Sequence, residues 1–297
     1  MSYLSVITVI PTFFNKNNEV DYNLIMEHIE KQYLSGIKSI VILGTTSETP
    51  TLSLEEKLSI ATYVYSKFHN DLHIIIGIGG FNTNDVVKEA QLFESFCNAL
   101  MLSSPYYNKP SQEGLFQHFS QVISQTSRDY VLYNVPSRCG VNLEPETIAR
   151  LANTFPQIKA IKEASGSIEQ VIKIKSLCNI DILSGDDALT LPFMSVGAKG
   201  IISVVSNLIP KQMLEMVTHF NKGHHLEASD IFYKYYTLMK LCFIESNPVS
   251  VKYMLELKNH ISMATVRLPL VQLSHDSKEK IMSYFQSKEL FDFSQVG

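Results

Sequence analysis

The sequence predicts an α/β fold: a (β/α)8 TIM barrel followed by a C-terminal helical appendage. Two observations carry that expectation. Eight short, β-rich apolar runs alternate with longer amphipathic ones through the first three-quarters of the chain. The runs are continuously apolar, the pattern of strands covered on both faces. Eight such units within residues 1–223 suit a barrel that typically needs ~250 residues.

In chain order, Val6–Ile10 is the first run and Tyr22–Ser35 the first helical pattern. Ser39–Leu43 follows; after it, Ser53 ahead of Leu54-Glu55-Glu56 has the form of a capping box, starting a helix over Leu54–Phe68. His73–Gly77 leads to Thr83 and a helical pattern over Asn84–Phe96. Ala99–Leu102 pairs with Gln112–Thr126, Tyr130–Tyr133 with Glu146–Asn153, and Ile158–Ile161 with Ile168–Leu177. Ile180–Leu183 and Gly200–Val204 complete the eight, with Lys211–Asn221 behind them. A doubly wound sheet is the competing architecture. Against it, Gly77-Ile78-Gly79-Gly80-Phe81-Asn82 fails the dinucleotide fingerprint, because Asn82 occupies the third glycine position. Beyond Gly223 the strand signal stops, and Glu227–Leu241, Val249–Leu257 and Ser277–Ser287 read as helices. The expected organisation is a catalytic barrel over residues 1–223 and a helical region over 224–297.

Composition narrows the class. The chain has 297 residues, of which 45% are hydrophobic and 18% charged, ordinary globular usage that excludes a disordered or collagen-like chain. With 25 basic and 29 acidic residues the net charge is −4, which excludes a strongly basic nucleic-acid binder. The longest apolar runs, such as Ile74-Ile75-Ile76, are far below the ~18–20 residues that cross a bilayer, so no membrane partner is expected. Met1-Ser2-Tyr3-Leu4-Ser5-Val6 lacks the basic and apolar regions of a signal peptide. Cys97, Cys139, Cys178 and Cys242 form no C-x-x-C pair and read as reduced thiols of a cytoplasmic protein. The histidines form no metal-ligand pattern, so no metal is expected.

Chemistry in a barrel sits at the C-terminal ends of the strands. There the chain reads Gly44-Thr45-Thr46-Ser47-Glu48, Pro105-Tyr106-Tyr107-Asn108-Lys109-Pro110, Tyr133-Asn134-Val135-Pro136-Ser137-Arg138, Lys162-Glu163-Ala164 and Ser184-Gly185-Asp186-Asp187. Hydroxyls, a phenol, an ammonium and a guanidinium ringing one mouth suit a small anionic substrate. Strand period two places Lys162 on the face of Ile158 and Ala160, with Lys159 on the opposite parity. Burial in an apolar lumen disfavours an ammonium and favours a nucleophilic amine. The alternative is a structural lysine paired with Glu163 or Asp186. Tyr133 is either a proton relay or packing; Thr45 and Thr46 either bind a carboxylate or cap a helix. Arg138 offers a fork for a carboxylate or forms a surface ion pair. Asp186 and Asp187, before Leu189, read as a helix N-terminus in preference to an acid pair.

These strings, in register over nearly the whole chain with Asn247-Pro248 and Arg267-Leu268-Pro269, resemble the family of pyruvate-dependent class I lyases that includes dihydrodipicolinate synthase and N-acetylneuraminate lyase. The resemblance implies that Lys162 forms an imine with pyruvate, with no cofactor and no metal. Thr45 and Thr46 would hold the pyruvate carboxylate, Gly185 and Ile202 would line its pocket, and Tyr133 would move protons. Thr45 would link Tyr133 to Tyr107, supplied by the neighbouring subunit of a tight dimer, within a homotetramer built as a dimer of dimers. Arg138, usually lacking in sialic-acid lyases, points to the branch that condenses pyruvate with aspartate semialdehyde and yields 4-hydroxy-tetrahydrodipicolinate for lysine biosynthesis. The alternatives are an aldolase for N-acetylneuraminate or a 2-keto-3-deoxy sugar acid, using the same imine, and a catalytically silent metabolite-binding barrel. Two departures stand out. Ser47 replaces a common glycine, with an expected effect on the carboxylate cradle or the rate. Leu54, Lys57 and Phe81 replace polar positions of a lysine feedback site, while Tyr106 and Asp85 remain; weak inhibition by lysine is expected, with Lys57 repelling the cation.

Overall fold

The computed structural model describes residues 6–259 and 261–288. Met1–Ser5, most of the stretch read as lacking a signal peptide, and residues 289–297 of the C-terminal region lie outside the described residues. Eight parallel strands close into a barrel in chain order: β1 Val6–Val9, β2 Ser39–Ile42, β3 His73–Ile78, β4 Ala99–Ser103, β5 Asp129–Asn134, β6 Ile158–Glu163, β7 Asp181–Ser184 and β8 Gly200–Ser203. β8 pairs back onto β1, so the ring has no free edge. The (β/α)8 expectation is met.

Helices fill the intervals at Tyr22–Leu34, Leu54–Phe68, Thr83–Phe93, Gln112–Ile123, Pro145–Thr154, Ile168–Leu177 and Pro210–Asn221. Side chains fix several starts. Ser53 accepts from the Glu56 N–H while Glu56 accepts from the Ser53 N–H, the complete capping box. Asp21, Ser111 and Ser167 accept from Leu24, Gly114 and Gln170. Two short helices, Pro136–Cys139 and Thr190–Ser195, have no counterpart in the sequence reading, because neither is long enough to display a 3.6-residue period.

Strand residues sort alternately into two apolar layers. Ile7, Val9, Val41, Ile75, Met101, Val131, Tyr133, Ala160, Leu183 and Ile202 pack together in the lumen. Their neighbours Val6, Ile40, Ile42, Ile74, Ile76, Leu132, Ile161 and Ile201 join the larger core shared with the helices. Both faces are therefore dry, which is why the runs read as continuously apolar. One placement is corrected. Ile158 lies in the outer layer and not on the lumen face, because the β5–β6 register slips between Tyr130 and Val131 and passes over Lys159. Lys159 reaches the opposite end of the barrel, donating to the Pro156 carbonyl at 2.7 Å beside Asp129 at 3.6 Å. Lys162, beyond the irregularity, shares the parity of Ala160 in the lumen.

After Gly223 come helices His225–Leu241, Val249–Asn259 and His275–Lys288. Phe232, Leu238, Met254, Leu255 and Phe285 belong to the same apolar core as the outer barrel layer. The chain returns to the barrel mouth at Asn247, and to the loop after β2 through Lys252 within helix Val249–Asn259 and through Arg267 beyond it. Among the described residues no helix is long and apolar enough to cross a membrane. The four cysteines are free thiols, three of them buried.

Candidate active site

A cavity of about 250 Å³ opens at the C-terminal ends of the strands, with Lys162 in its wall. Thr45, Thr46, Tyr133, Arg138, Gly185 and Asn247 line it as well. Lys162 is 5% exposed and pairs in register with Tyr133 on the neighbouring strand. Its Nζ lies 4.3 Å from the centroid of the tyrosine ring.

The structural reading of Lys162 required a carboxylate partner, and neither candidate supplies one. Glu163, of opposite parity, turns outward and accepts from Asn134 Nδ2 at 3.1 Å, Gln170 Nε2 at 2.9 Å and the Ser165 N–H at 2.7 Å. Burial pushes the Glu163 carboxyl up, and those donors oppose the rise. Asp186 accepts from the Ala188 N–H at 2.9 Å, capping the turn Asp187–Leu189 as its position implied. Space for the lysine is made by Gly185: a Cβ there would lie 3.2 Å from Lys162 Cε and 2.6 Å from Ala164 Cβ.

Thr45 and Thr46 form a single turn of 3-10 helix with Ser47. Their hydroxyls do not cap the following helix, which Ser53 caps, so that alternative falls away. Thr46 is buried and its Oγ1 accepts from Asn247 Nδ2 at 2.9 Å. Ser47 points away from the cavity and donates to the Ile10 carbonyl at 2.7 Å, fastening the turn to the end of β1. The added side chain therefore stands behind the threonines and not between them and a ligand. Arg138 is exposed on the short helix Pro136–Cys139, with Nη2 3.5 Å from the Asn247 carbonyl. Arg138 lines both this cavity and the one beside it, and no ion pair to it is found among the described residues.

Two of the expected residues stand apart. Ile202 is packed in the lumen layer, and Val204 takes its place in the cavity lining. Tyr107 is 87% exposed, with a left-handed φ of +70°, and lines neither this cavity nor the one beside it. That adjoining cavity, about 390 Å³, shares Thr45, Tyr133 and Arg138 and extends to Tyr106 and to Lys57, whose ammonium lies 3.1 Å from Glu89. Leu54 and Phe81 are exposed, and Phe81 meets the Tyr106 ring edge to face.

Sequence reasoning missed the C-terminal contribution. Met239, Lys240, Phe243 and Asn247 all line the Lys162 cavity. Asn247-Pro248 stood out as a string, but a bond from Asn247 to Thr46 spans 201 residues and leaves no local pattern. Asp187 was also undervalued. It is buried and accepts from Ser203 Oγ at 2.6 Å and from the Val204 and Val205 N–H groups at 3.0 and 3.1 Å, tying the tips of β7 and β8 together. Burial pushes its carboxyl up to about 6.

The family model for the dihydrodipicolinate synthetase family matches residues 2–288. A 4-hydroxy-tetrahydrodipicolinate synthase of Bacillus subtilis is 40% identical over 286 residues, covering 95% of this chain and 98% of that protein. The structure of a dihydrodipicolinate synthase from Thermotoga maritima superposes with a TM-score of 0.94 at 34% identity, covering 98% of this chain and all of that one. A dihydrodipicolinate synthase from Acinetobacter baumannii, complexed with pyruvate, gives 0.93 at 32% identity, covering 98% and 100%. With its closed barrel, its lumen lysine and a match running almost end to end, the chain belongs to the dihydrodipicolinate synthetase family.

Proposed function

We propose that the chain condenses pyruvate with aspartate semialdehyde to 4-hydroxy-tetrahydrodipicolinate, an imine-forming lyase reaction serving lysine biosynthesis in the cytoplasm. The observation that carries this is the Lys162 amine, enclosed in the lumen beside Tyr133 with both nearby carboxylates engaged elsewhere. Its relative from Acinetobacter baumannii is described in complex with pyruvate.

The residues support each step. The Lys162 amine attacks the keto carbon, and loss of water from the addition product gives an imine. The iminium is the electron sink, so a methyl proton leaves and an enamine forms without recourse to a metal or organic cofactor. Thr45 and Thr46 hold the pyruvate carboxylate by their hydroxyls and backbone N–H groups. Tyr133, across the ladder from Lys162, carries protons during dehydration and onto the oxygen of the attacked aldehyde. Arg138 takes the carboxylate of aspartate semialdehyde at the mouth. Ring closure by the semialdehyde's own amine displaces Lys162 and regenerates it; one water is released overall. Gly185 and Val204 shape the pocket wall, while Ile202 packs in the lumen layer. Tyr107 completes the proton path to Thr45 of a neighbouring subunit, which its exposure on a single chain permits and which requires at least a dimer; the family resemblance implies a dimer of dimers.

Borohydride reduction with pyruvate, followed by peptide mass analysis, tests the reading. A reduced adduct on the Lys162 peptide is expected, and Lys162→Arg is expected to abolish it. Turnover of pyruvate with aspartate semialdehyde, against cleavage of N-acetylneuraminate, separates this assignment from a sugar-acid aldolase. Preference for the sugar acid would overturn it.

A further inference from the structure

The loop after β2 carries Thr45 and Thr46 and, two residues later, folds Glu48 back into the protein. Glu48 has φ +54°, a left-handed conformation that a residue with a side chain keeps only when its surroundings hold it. Its carboxylate is buried and both oxygens are used. Oε1 lies 2.7 Å from Lys252 Nζ, and Oε2 accepts from the Arg267 N–H at 2.9 Å. Lys252 is itself fully buried and also donates to the Thr12 carbonyl at 2.9 Å. The Lys252 and Arg267 cations stand over the Phe14 ring, 4.5 and 4.3 Å from its centroid. Arg267 is fixed in turn by both carboxylate oxygens of Glu56, at 2.6 and 2.8 Å.

A buried ion pair is weak evidence for stability, because desolvation offsets much of the attraction. Burial accordingly brings Lys252 down to about 8, with Glu48 opposing the fall. What such a pair adds over an apolar one is direction. With both oxygens engaged the carboxylate has one orientation, and the turn above it follows: the Glu48 N–H donates to the Thr45 carbonyl at 3.2 Å, and the Ser47 N–H to Gly44 at 3.1 Å.

We propose that Glu48 is a positioning residue for pyruvate: gripped by Lys252 and the Arg267 backbone, it sets the turn that presents Thr45 and Thr46 to the keto acid's carboxylate. This rests on the reading of those threonines as the carboxylate cradle. The Glu48 and Lys252 side chains are fully buried and neither residue lines the Lys162 cavity, so their effect is expected through the threonine turn, on pyruvate.

The test measures Lys162 adduct formed under borohydride over a range of pyruvate concentrations. In Glu48→Gln the half-saturating pyruvate concentration is expected to rise ~10-fold or more, with the maximal adduct unchanged. In Glu48→Gln/Lys252→Met the unpaired buried ammonium is gone; thermal stability is expected to return toward wild type while the raised half-saturation persists. If half-saturation recovers together with stability, or stays at the wild-type value in a folded variant, the pair is structural only and the inference fails. Should the single variant not fold, the double variant carries the measurement. Absence of any adduct in the wild type overturns the proposed function and this inference with it, whereas wild-type trapping with unshifted variants overturns the inference alone.

Discussion

Lys162 owes its place to parity, and its separation from the nearby carboxylates to what those neighbours are bonded to. Parity was legible: an alternating count through Ala160 places the side chain in the lumen, and the structure keeps it there. The bonding of Glu163 and Asp186 was not legible, since both stand beside the lysine in sequence and only the fold shows that each is taken up elsewhere. Ser47 shows the same limit, because nothing local says that its hydroxyl ends on the Ile10 carbonyl. The expectation of weak lysine inhibition now rests on Leu54 and Phe81 alone, because Glu89 answers the charge of Lys57. Gly185 is the position where a single methyl group tells most. Gly185→Ala puts that methyl 3.2 Å from Lys162 Cε, against a nucleophile that must swing to reach a carbonyl carbon. Borohydride trapping by this variant is expected to fall ~100-fold, and the 2.6 Å approach to Ala164 Cβ is expected to lower the melting temperature as well.

Helices and strands of the barrel were legible almost residue by residue, since Leu54–Phe68 and Ile168–Leu177 each run long enough to show both a period and a cap. The polar bonds that fasten one element to another were not, because they join residues far apart in the chain. His28 on helix Tyr22–Leu34 illustrates this: its Nε2 sits 2.8 Å from Asn207 Oδ1, across 179 residues. Burial holds this histidine at about 4, below its ordinary 6.5. Between those values the unfolded chain binds a proton that the folded chain refuses, so stability falls as pH drops from 6.5 toward 4. His118 adds the same sign from about 4, and Asp187, raised to about 6, the opposite sign over part of the range. Urea unfolding of His28→Gln at several pH values is expected to show a slope shallower by up to about 1.4 kcal/mol per pH unit in this window, the weight of one proton.

At the scale of the whole molecule, the C-terminal helices are built into the site they border. Asn247 holds Thr46, Lys252 holds Glu48, and Phe285 shares the core of the outer barrel layer. A strand count alone cannot reveal this, because the contacts cross the entire chain. Tyr107, exposed and outside the lining of the Lys162 cavity of its own chain, gives the assembly a direct assay. Lys162→Arg and Tyr107→Phe are each expected to be impaired alone. Co-expressed, they are expected to recover up to a quarter of wild-type turnover, because mixed dimers then hold one intact combination. Recovery no greater than the average of the two parents would place Tyr107 outside the neighbour's site.

The slip at Lys159 has a consequence for how the ring tolerates change. Counting back by twos, Lys162, Ala160 and Ile158 would all face inward, yet Ile158 lies outside because the ladder skips Lys159. The strand thus holds a spare residue. Excising Lys159 would restore simple alternation and leave the amine aimed at Tyr133, whereas excising Ile161 would roll the amine into the oily jacket of helices. In a hoop without ends, that slack lies upstream of Lys162, where the loss of one residue is expected to leave the lumen amine's direction unchanged.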